Sequence, residues 1–134
     1  MLSGRRVLAG DDDPQLLEAI ATSLEQLHAD VVRARNGGEL IDRLADSGPF
    51  DLVVTDIAMP WMTGLSAMRA ARTAGLSVPV IVVTALHDDT IPADVKALGG
   101  NVALLRKPFE MRELKSVTER LLADGSRGLH DSSH

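Results

Sequence analysis

Short runs of apolar residues alternate with longer amphipathic stretches along most of the chain. Five runs have the length and composition of buried strands, at residues 7–9, 30–34, 52–55, 78–83 and 102–105. Between and after these runs, apolar residues recur every three or four positions, which predicts helices over 14–27, 39–45, 65–74, 91–98 and 110–123. The pattern is a strand followed by a helix, repeated five times.

Continuous apolar strands separated by helices are typical of a parallel sheet that is covered on both faces. We therefore predict an α/β fold with a doubly wound, five-stranded parallel sheet. The 134 residues have the size of a single domain, which we place at residues 1–123. Residues 124–134 are polar or glycine-rich and are predicted to form a flexible tail.

Composition excludes several classes of function. Fourteen basic and nineteen acidic residues give a net charge of −5, which disfavours direct binding of nucleic acid. The chain has no cysteine, so disulfides and thiolate chemistry are excluded. No stretch reaches the roughly 18 apolar residues of a membrane span, so we expect no membrane insertion and a cytoplasmic protein.

Polar residues stand at the carboxyl ends of four predicted strands: Asp11, Asp12, Asp13, Asp56, Thr84 and Lys107. Because the carboxyl ends of parallel strands meet at one edge of a sheet, these side chains are expected to converge there. Clustered carboxylates repel one another, and a hard divalent cation with oxygen ligands relieves that repulsion. The set indicates a site for Mg²⁺ and a phosphoryl group, with a carboxylate as the nucleophile.

Each of these residues alone has a simpler explanation. Aspartates before a helix are usually caps, and a lone aspartate at a strand end is more often a turn residue than a nucleophile. A lone lysine at such a place is most often solvated, and a lone threonine is an ordinary strand residue. The placement of all of them at one edge favours a functional site.

Four segments resemble the receiver domain of two-component response regulators: VLAGDDDP at 7–14, LVVTDIAMP at 52–60 with Gly64, VIVVTA at 80–85 and KPF at 107–109. The resemblance runs from about Arg6 to Ala123, and the motifs have the order and spacing of that family. It implies a flavodoxin-like (βα)5 fold with strand order 2-1-3-4-5.

The resemblance implies a role for three residues in phosphoryl transfer. Asp56 is similar to the phosphoacceptor, which takes the phosphoryl group from a histidine kinase or a small phosphodonor. Thr84 is similar to the hydroxyl that bonds a phosphoryl oxygen, and Lys107 to the lysine that pairs with the phosphoryl charge. The Lys107–Pro108 peptide bond is similar to one that is cis in the family.

The resemblance also implies a magnesium site. Asp11 and Asp12 are similar to the acidic pair that holds Mg²⁺ together with Asp56 and the backbone carbonyl of Ala58. Asp13 matches a third acidic residue of the family and is expected to cap the first helix rather than bind the metal.

The implied partners are proteins. They are a sensor histidine kinase or phosphotransfer protein, a downstream partner or attached output domain, and a second copy of the chain in a homodimer formed on phosphorylation. The chain would not be a conventional enzyme; it would catalyse its own phosphorylation and slow dephosphorylation. Whether it stands alone or is a piece of a longer protein stays open.

Some positions depart from the family pattern. Leu104 stands three residues before the lysine, where the family usually has an aromatic residue. Ala58 and Leu86 flank the expected site without a hydrogen-bonding side chain, which predicts slow loss of the phosphoryl group. Trp61 is expected in the loop after the third strand, either partly exposed or as an anchor for a partner.

Two other functions are compatible with a strand-end aspartate. A phosphatase of the haloacid-dehalogenase type also uses a strand-end aspartate and Mg²⁺, but it needs a second aspartate at the position of Ala58. A degenerate receiver that acts only by binding is disfavoured, because the acidic residues, the threonine and the lysine are all present.

Overall fold

The structure, a computed structural model, describes residues 2–59, 63–86 and 88–131, the last eight of them by their backbone alone. In this part of the chain five strands form one sheet: β1 Arg6–Gly10, β2 Asp30–Ala34, β3 Leu52–Asp56, β4 Val80–Thr84 and β5 Val102–Arg106. Each strand is followed by a helix: α1 Pro14–Glu25, α2 Gly37–Asp46, α3 Gly64–Thr73, α4 Ile91–Lys96 and α5 Met111–Asp131.

The strands lie in the order β2-β1-β3-β4-β5, and every neighbouring pair is parallel. This arrangement confirms the predicted fold class and strand order. Gly10 at the end of β1 is level with Ala34 on one side and Thr55 on the other. The carboxyl ends of β1 and β3 therefore meet at the same edge, as the sequence predicted.

The sheet separates two apolar clusters. Adjacent strand residues enter opposite clusters, as Val7 and Leu8 do in β1. The first cluster lies between the sheet and helices α1 and α5, and the second lies between the sheet and helices α2, α3 and α4. Among the described residues, no helix has the length and apolar composition that crossing a membrane requires.

Polar residues begin three of the helices. Asp13 accepts hydrogen bonds from the N–H groups of Gln15 and Leu16, so it caps α1 as predicted. Asn36 caps α2 and Thr63 caps α3 in the same way. These caps satisfy amides that the first helical turn leaves without a partner.

Several element boundaries differ from the predicted ones by one or more residues, and three of them show the physical reason or the largest change. β4 begins at Val80 rather than at residue 78, because Pro79 has no N–H to donate to a neighbouring strand. α4 ends at Lys96 rather than at residue 98, and Gly99 and Gly100 then turn the chain with positive φ angles. α5 continues to Asp131, beyond the predicted end at residue 123. The division into a domain over 1–123 and a flexible tail over 124–134 stays a prediction.

Candidate functional site at the carboxyl edge of the sheet

Three carboxylates lie together at the carboxyl edge of the sheet. Asp11 follows the last residue of β1, and Asp56 is the last residue of the neighbouring strand β3. Asp11 is 1% exposed and Asp56 is 6% exposed, whereas Asp12 is exposed. Carboxylate oxygens of the three residues lie within 4.8 Å of one another, so the group could hold a metal ion.

Backbone amides orient the two buried carboxylates. Asp11 Oδ1 accepts a hydrogen bond from the N–H of Asp13 (2.9 Å), and Asp56 Oδ1 accepts one from the N–H of Ala58 (3.0 Å). In each aspartate the bonded amide is two residues further along the chain, so the turn after the strand fixes the side chain. One oxygen of each carboxylate is held in this way, and the other faces Lys107.

Lys107 brings a positive charge to both aspartates. Its Nζ lies 2.8 Å from Asp56 Oδ2 and 3.2 Å from Asp11 Oδ2. The lysine follows β5, its N–H donates to the carbonyl of Thr84 (2.7 Å), and its peptide bond with Pro108 is cis. Burial alone would lower the pKa of Lys107, but the hydrogen bond with Asp56 and the charge of Asp11 outweigh it and raise the pKa.

The site has more negative than positive charge. Burial raises the pKa of Asp11 above its ordinary value, and the charge of Asp56 adds to this, although the Asp13 N–H and Lys107 act against it. One ammonium faces two buried carboxylates, and the exposed Asp12 adds a third negative group. Close oxygen donors with surplus negative charge fit a hard divalent cation.

Thr84 stands at the same edge, at the end of β4. The strand register pairs Asp56 with Val83, so Thr84 lies one residue beyond the level of the aspartate on the neighbouring strand. Its side chain is fully buried, and its Oγ1 accepts a hydrogen bond from the N–H of Leu86 (2.9 Å). Because the hydroxyl is an acceptor in that bond, its own proton is left to donate.

The backbone of α3 packs directly against the end of β3. A Cβ atom at Gly64 would overlap the carbonyl oxygen of Asp56, and the N–H of Gly64 donates to the carbonyl of Ile57 (3.1 Å). The buried hydroxyl of Thr55 donates to the carbonyl of Asp56 (3.0 Å). These contacts leave room for no side chain at residue 64 and hold the segment that carries Asp56.

The structure brings Asp11, Asp12, Asp56 and Lys107 into one group and places Thr84 at its edge. The other positions singled out from the sequence have different surroundings. Ala58 donates its N–H to Asp56, and the predicted role of its carbonyl in metal binding stays a prediction.

The apolar residues that the sequence placed around the site differ in their exposure. Leu86 is 49% exposed. Leu104 is half-buried and packs against the cluster on the side of helices α2 to α4. Trp61 lies outside the described residues.

One residue near the site stood at the end of the fifth predicted strand but had no role assigned to it from the sequence. Arg106 is the last residue of β5, and its Nη1 donates to the carbonyl of Leu86 (2.7 Å). A charged residue directly before the strand-end lysine was the available signal. Its partner is a backbone carbonyl twenty residues away, which no pattern of residue types can indicate.

Comparison with known proteins agrees with this geometry. The family described as response regulator receiver domain matches residues 7–119, which is most of the chain. The chain belongs to the response regulator receiver domain family.

Curated relatives of the chain are response regulators as well. The chain is 36% identical over 118 residues to response regulator MprA of Mycobacterium sp. (strain KMS), and 35% identical to that of Mycobacterium avium (strain 104). Each match covers 87% of this chain and 50% of the relative, so the chain spans about half the length of the curated relatives it matches.

Solved receiver domains share the fold. The receiver domain of the Francisella response regulator 1452 has a TM-score of 0.83 at 27% identity, covering 91% of this chain and 99% of that one. The chemotaxis protein CheY4 of Vibrio cholerae has a TM-score of 0.79 at 27% identity, covering 87% of this chain and 98% of that one.

Proposed function

We propose that the chain accepts a phosphoryl group on Asp56 and changes its conformation in response. The observation that carries the proposal is the lysine bridge between two buried carboxylates, with Lys107 Nζ 2.8 Å from Asp56 and 3.2 Å from Asp11. A partly buried ammonium at the nucleophile neutralises charge on an incoming phosphoryl group, which is the main task of a protein in phosphoryl transfer.

In the proposed reaction, an oxygen of the ionised Asp56 carboxylate attacks the phosphorus of a phosphohistidine. The new O–P bond forms as the P–N bond breaks, and the electron pair of that bond stays on the imidazole nitrogen. The phosphohistidine ring carries a proton on its other nitrogen, so it leaves as a neutral histidine, and the second product is an acyl phosphate on Asp56. The Ala58 N–H keeps the carboxylate oriented, and Lys107 pairs with a phosphoryl oxygen.

The residues present fit Mg²⁺, because Asp11, Asp12 and Asp56 supply close oxygen donors and surplus negative charge. We propose that these three carboxylates, with the backbone carbonyl of Ala58, hold the ion. When bound, the ion would neutralise phosphoryl charge. Thr84 would donate its hydroxyl proton to a phosphoryl oxygen, since its oxygen already accepts from Leu86.

The proposed partners follow from membership in the family. A sensor histidine kinase or a phosphotransfer protein would supply the phosphoryl group, in the cytoplasm. The curated relatives are about twice as long as the matched region, which supports an output domain or a separate downstream partner as the receiver of the signal. A homodimer that forms on phosphorylation is also part of the proposal.

A phosphatase of the haloacid-dehalogenase type is the weaker proposal. That chemistry needs an acid and base two residues after the nucleophile, and Ala58 has no side chain that can transfer a proton. The same lack predicts that an acyl phosphate on Asp56 would be lost slowly.

The test is incubation of the protein with acetyl phosphate and Mg²⁺, read by intact mass. We expect the mass of one phosphoryl group to be added to the wild-type protein and not to Asp56→Asn. Asp42→Asn is the matched control, because Asp42 is an exposed aspartate on α2, away from the site.

Each outcome distinguishes the proposals. A lasting adduct that only Asp56→Asn abolishes supports the receiver function. Rapid turnover of phosphate esters without an adduct supports the phosphatase. If neither an adduct nor turnover is observed, the result supports a degenerate receiver that acts by binding alone.

A further inference from the structure

The backbone of Leu86 is held on both sides of its Cα atom. Its N–H donates to the buried Thr84 Oγ1 at 2.9 Å, and its carbonyl accepts from Arg106 Nη1 at 2.7 Å. Thr84 and Arg106 are register partners at the ends of β4 and β5. The backbone of a single residue therefore connects the hydroxyl at the site with a guanidinium at the end of the neighbouring strand.

This connection leads from the site toward α4. Leu86 belongs to the segment that joins β4 to Ile91, the first residue of α4. At the other end of α4, Arg72 donates to the carbonyls of Leu98 (3.2 Å) and Gly99 (3.3 Å). That end of α4 is therefore bonded to α3, whereas the bond from Arg106 to the Leu86 carbonyl lies at the opposite end of the helix.

Leu104 offers no comparable connection. Its side chain is apolar, has no hydrogen-bonding group, and packs half-buried against the cluster under α4. A change at Thr84 reaches it only through packing. Arg106, by contrast, is joined to Thr84 through the two backbone hydrogen bonds of Leu86.

We propose that Arg106 is a positioning residue that holds the segment before α4 in its resting place and releases it when the Thr84 hydroxyl is engaged. The proposal rests on the proposed function, in which Thr84 donates to a phosphoryl oxygen on Asp56. When Thr84 makes that bond, its Oγ1 moves, and the Leu86 N–H that donates to this oxygen moves with it. The Leu86 carbonyl then moves away from Arg106.

The strength of the bond suits such a role. A charge-assisted hydrogen bond at the surface is weak enough to be exchanged and strong enough to bias two arrangements. A contact present in only one of two states shifts their populations by its own free energy. We expect a shift of about fivefold, which corresponds to about 1 kcal/mol.

The experiment measures amide hydrogen exchange by NMR in the full chain without phosphodonor. In Arg106→Ala, exchange of the Leu86 amide should rise about fivefold, while the amide of Met68 in α3 should stay unchanged. Arg106→Lys keeps a charged donor and should restore most of the protection. Arg120→Ala is the matched control, because Arg120 is an exposed arginine on α5.

Equal exchange of the Leu86 amide in wild type and Arg106→Ala would overturn the proposal. An equal rise at Met68 would also overturn it, because the variant would then have loosened the whole fold. Failure of Arg106→Lys to restore protection would mean that a charged donor is not what holds the segment, and would overturn it too.

A second measurement tests whether phosphorylation breaks the bond from Arg106 to the Leu86 carbonyl. Acetyl phosphate with Mg²⁺ should raise exchange of the Leu86 amide in the wild type and have a smaller effect in Arg106→Ala, where the segment is already released. An equal effect in both would overturn the proposal. Absence of the adduct from wild-type protein would instead contradict the proposed function, and the measurement without phosphodonor would still decide whether Arg106 holds the segment.

Discussion

Gly64 lies so close to Asp56 that a Cβ atom at residue 64 would overlap the carbonyl oxygen of the aspartate. The first residue of α3 and the last residue of β3 thus touch by their backbones. Backbone atoms cannot turn aside as a side chain can, so the contact restricts both the entry of α3 and the position of the proposed phosphoacceptor.

Gly64→Ala should therefore destabilise the protein by about 3 kcal/mol, as overpacking in a rigid place does. Gly10→Ala is a graded comparison, because the atom nearest to its added Cβ is a methyl carbon of Leu40, 3.0 Å away, which can rotate. Urea unfolding measures both variants, and we expect the smaller loss for Gly10→Ala. An equal loss in the two variants would mean that the backbone contact has no special weight.

The buried carboxylate Asp11 should cost stability when no metal is present. Its pKa is raised by burial and by the charge of Asp56, so the folded protein binds a proton there more tightly than the unfolded chain does. Between the two pKa values the folded state holds more protons, and the free energy of unfolding falls as the pH rises. Asp11→Asn should raise Tm in metal-free buffer at neutral pH.

The gain from Asp11→Asn should shrink as the pH is lowered, because a protonated aspartate is neutral, as asparagine is. Thermal unfolding followed across a pH series measures this. Mg²⁺ should raise Tm of the wild type more than Tm of the variant. Asp42→Asn, exposed on α2, should show neither effect. A lower Tm for Asp11→Asn at every pH would indicate a structural role for the carboxylate.

Two buried threonines should respond to the same substitution in opposite ways. Thr118 is fully buried, and its hydroxyl finds no hydrogen-bond partner among the described residues. Thr118→Val should stabilise the protein by about 1 kcal/mol, because it removes an unpaired polar group without changing the shape. Thr55→Val should destabilise it by a similar amount, because the Thr55 hydroxyl donates to the Asp56 carbonyl. Denaturant unfolding of the two variants gives both signs, and a loss of stability in Thr118→Val would contradict the first.

The proposed acyl phosphate should persist, because neither Ala58 nor Leu86 can orient an attacking water. Replacing Ala58 by Asn together with Leu86 by Glu should shorten its lifetime roughly tenfold, which corresponds to about 1.4 kcal/mol of barrier. The measurement is a decay time course of the phosphorylated protein followed by intact mass. A wild type that already decays faster than the double variant would refute the idea that these positions control the water.

Much of the molecule follows from the sequence alone. The apolar runs and helical periods place five strands and five helices, because burial on two faces needs these patterns. Parallel strands all end at one edge, so the positions of Asp11, Asp56, Thr84 and Lys107 along the chain already predict that they converge. The register between β1 and β3 and the Lys107 bridge agree with that expectation.

Other features are decided only by the tertiary structure. The bond from Arg106 to Leu86 joins a side chain to a carbonyl, and every residue has a carbonyl, so residue types do not reveal the pair. The overlap at Gly64 and the unpaired hydroxyl of Thr118 depend on distances of a few tenths of an ångström between packed elements. Patterns of polarity determine which face of an element is buried, whereas packing determines which atoms meet. The proposed link from Thr84 to α4 depends on which atoms meet, so only the tertiary structure reveals it.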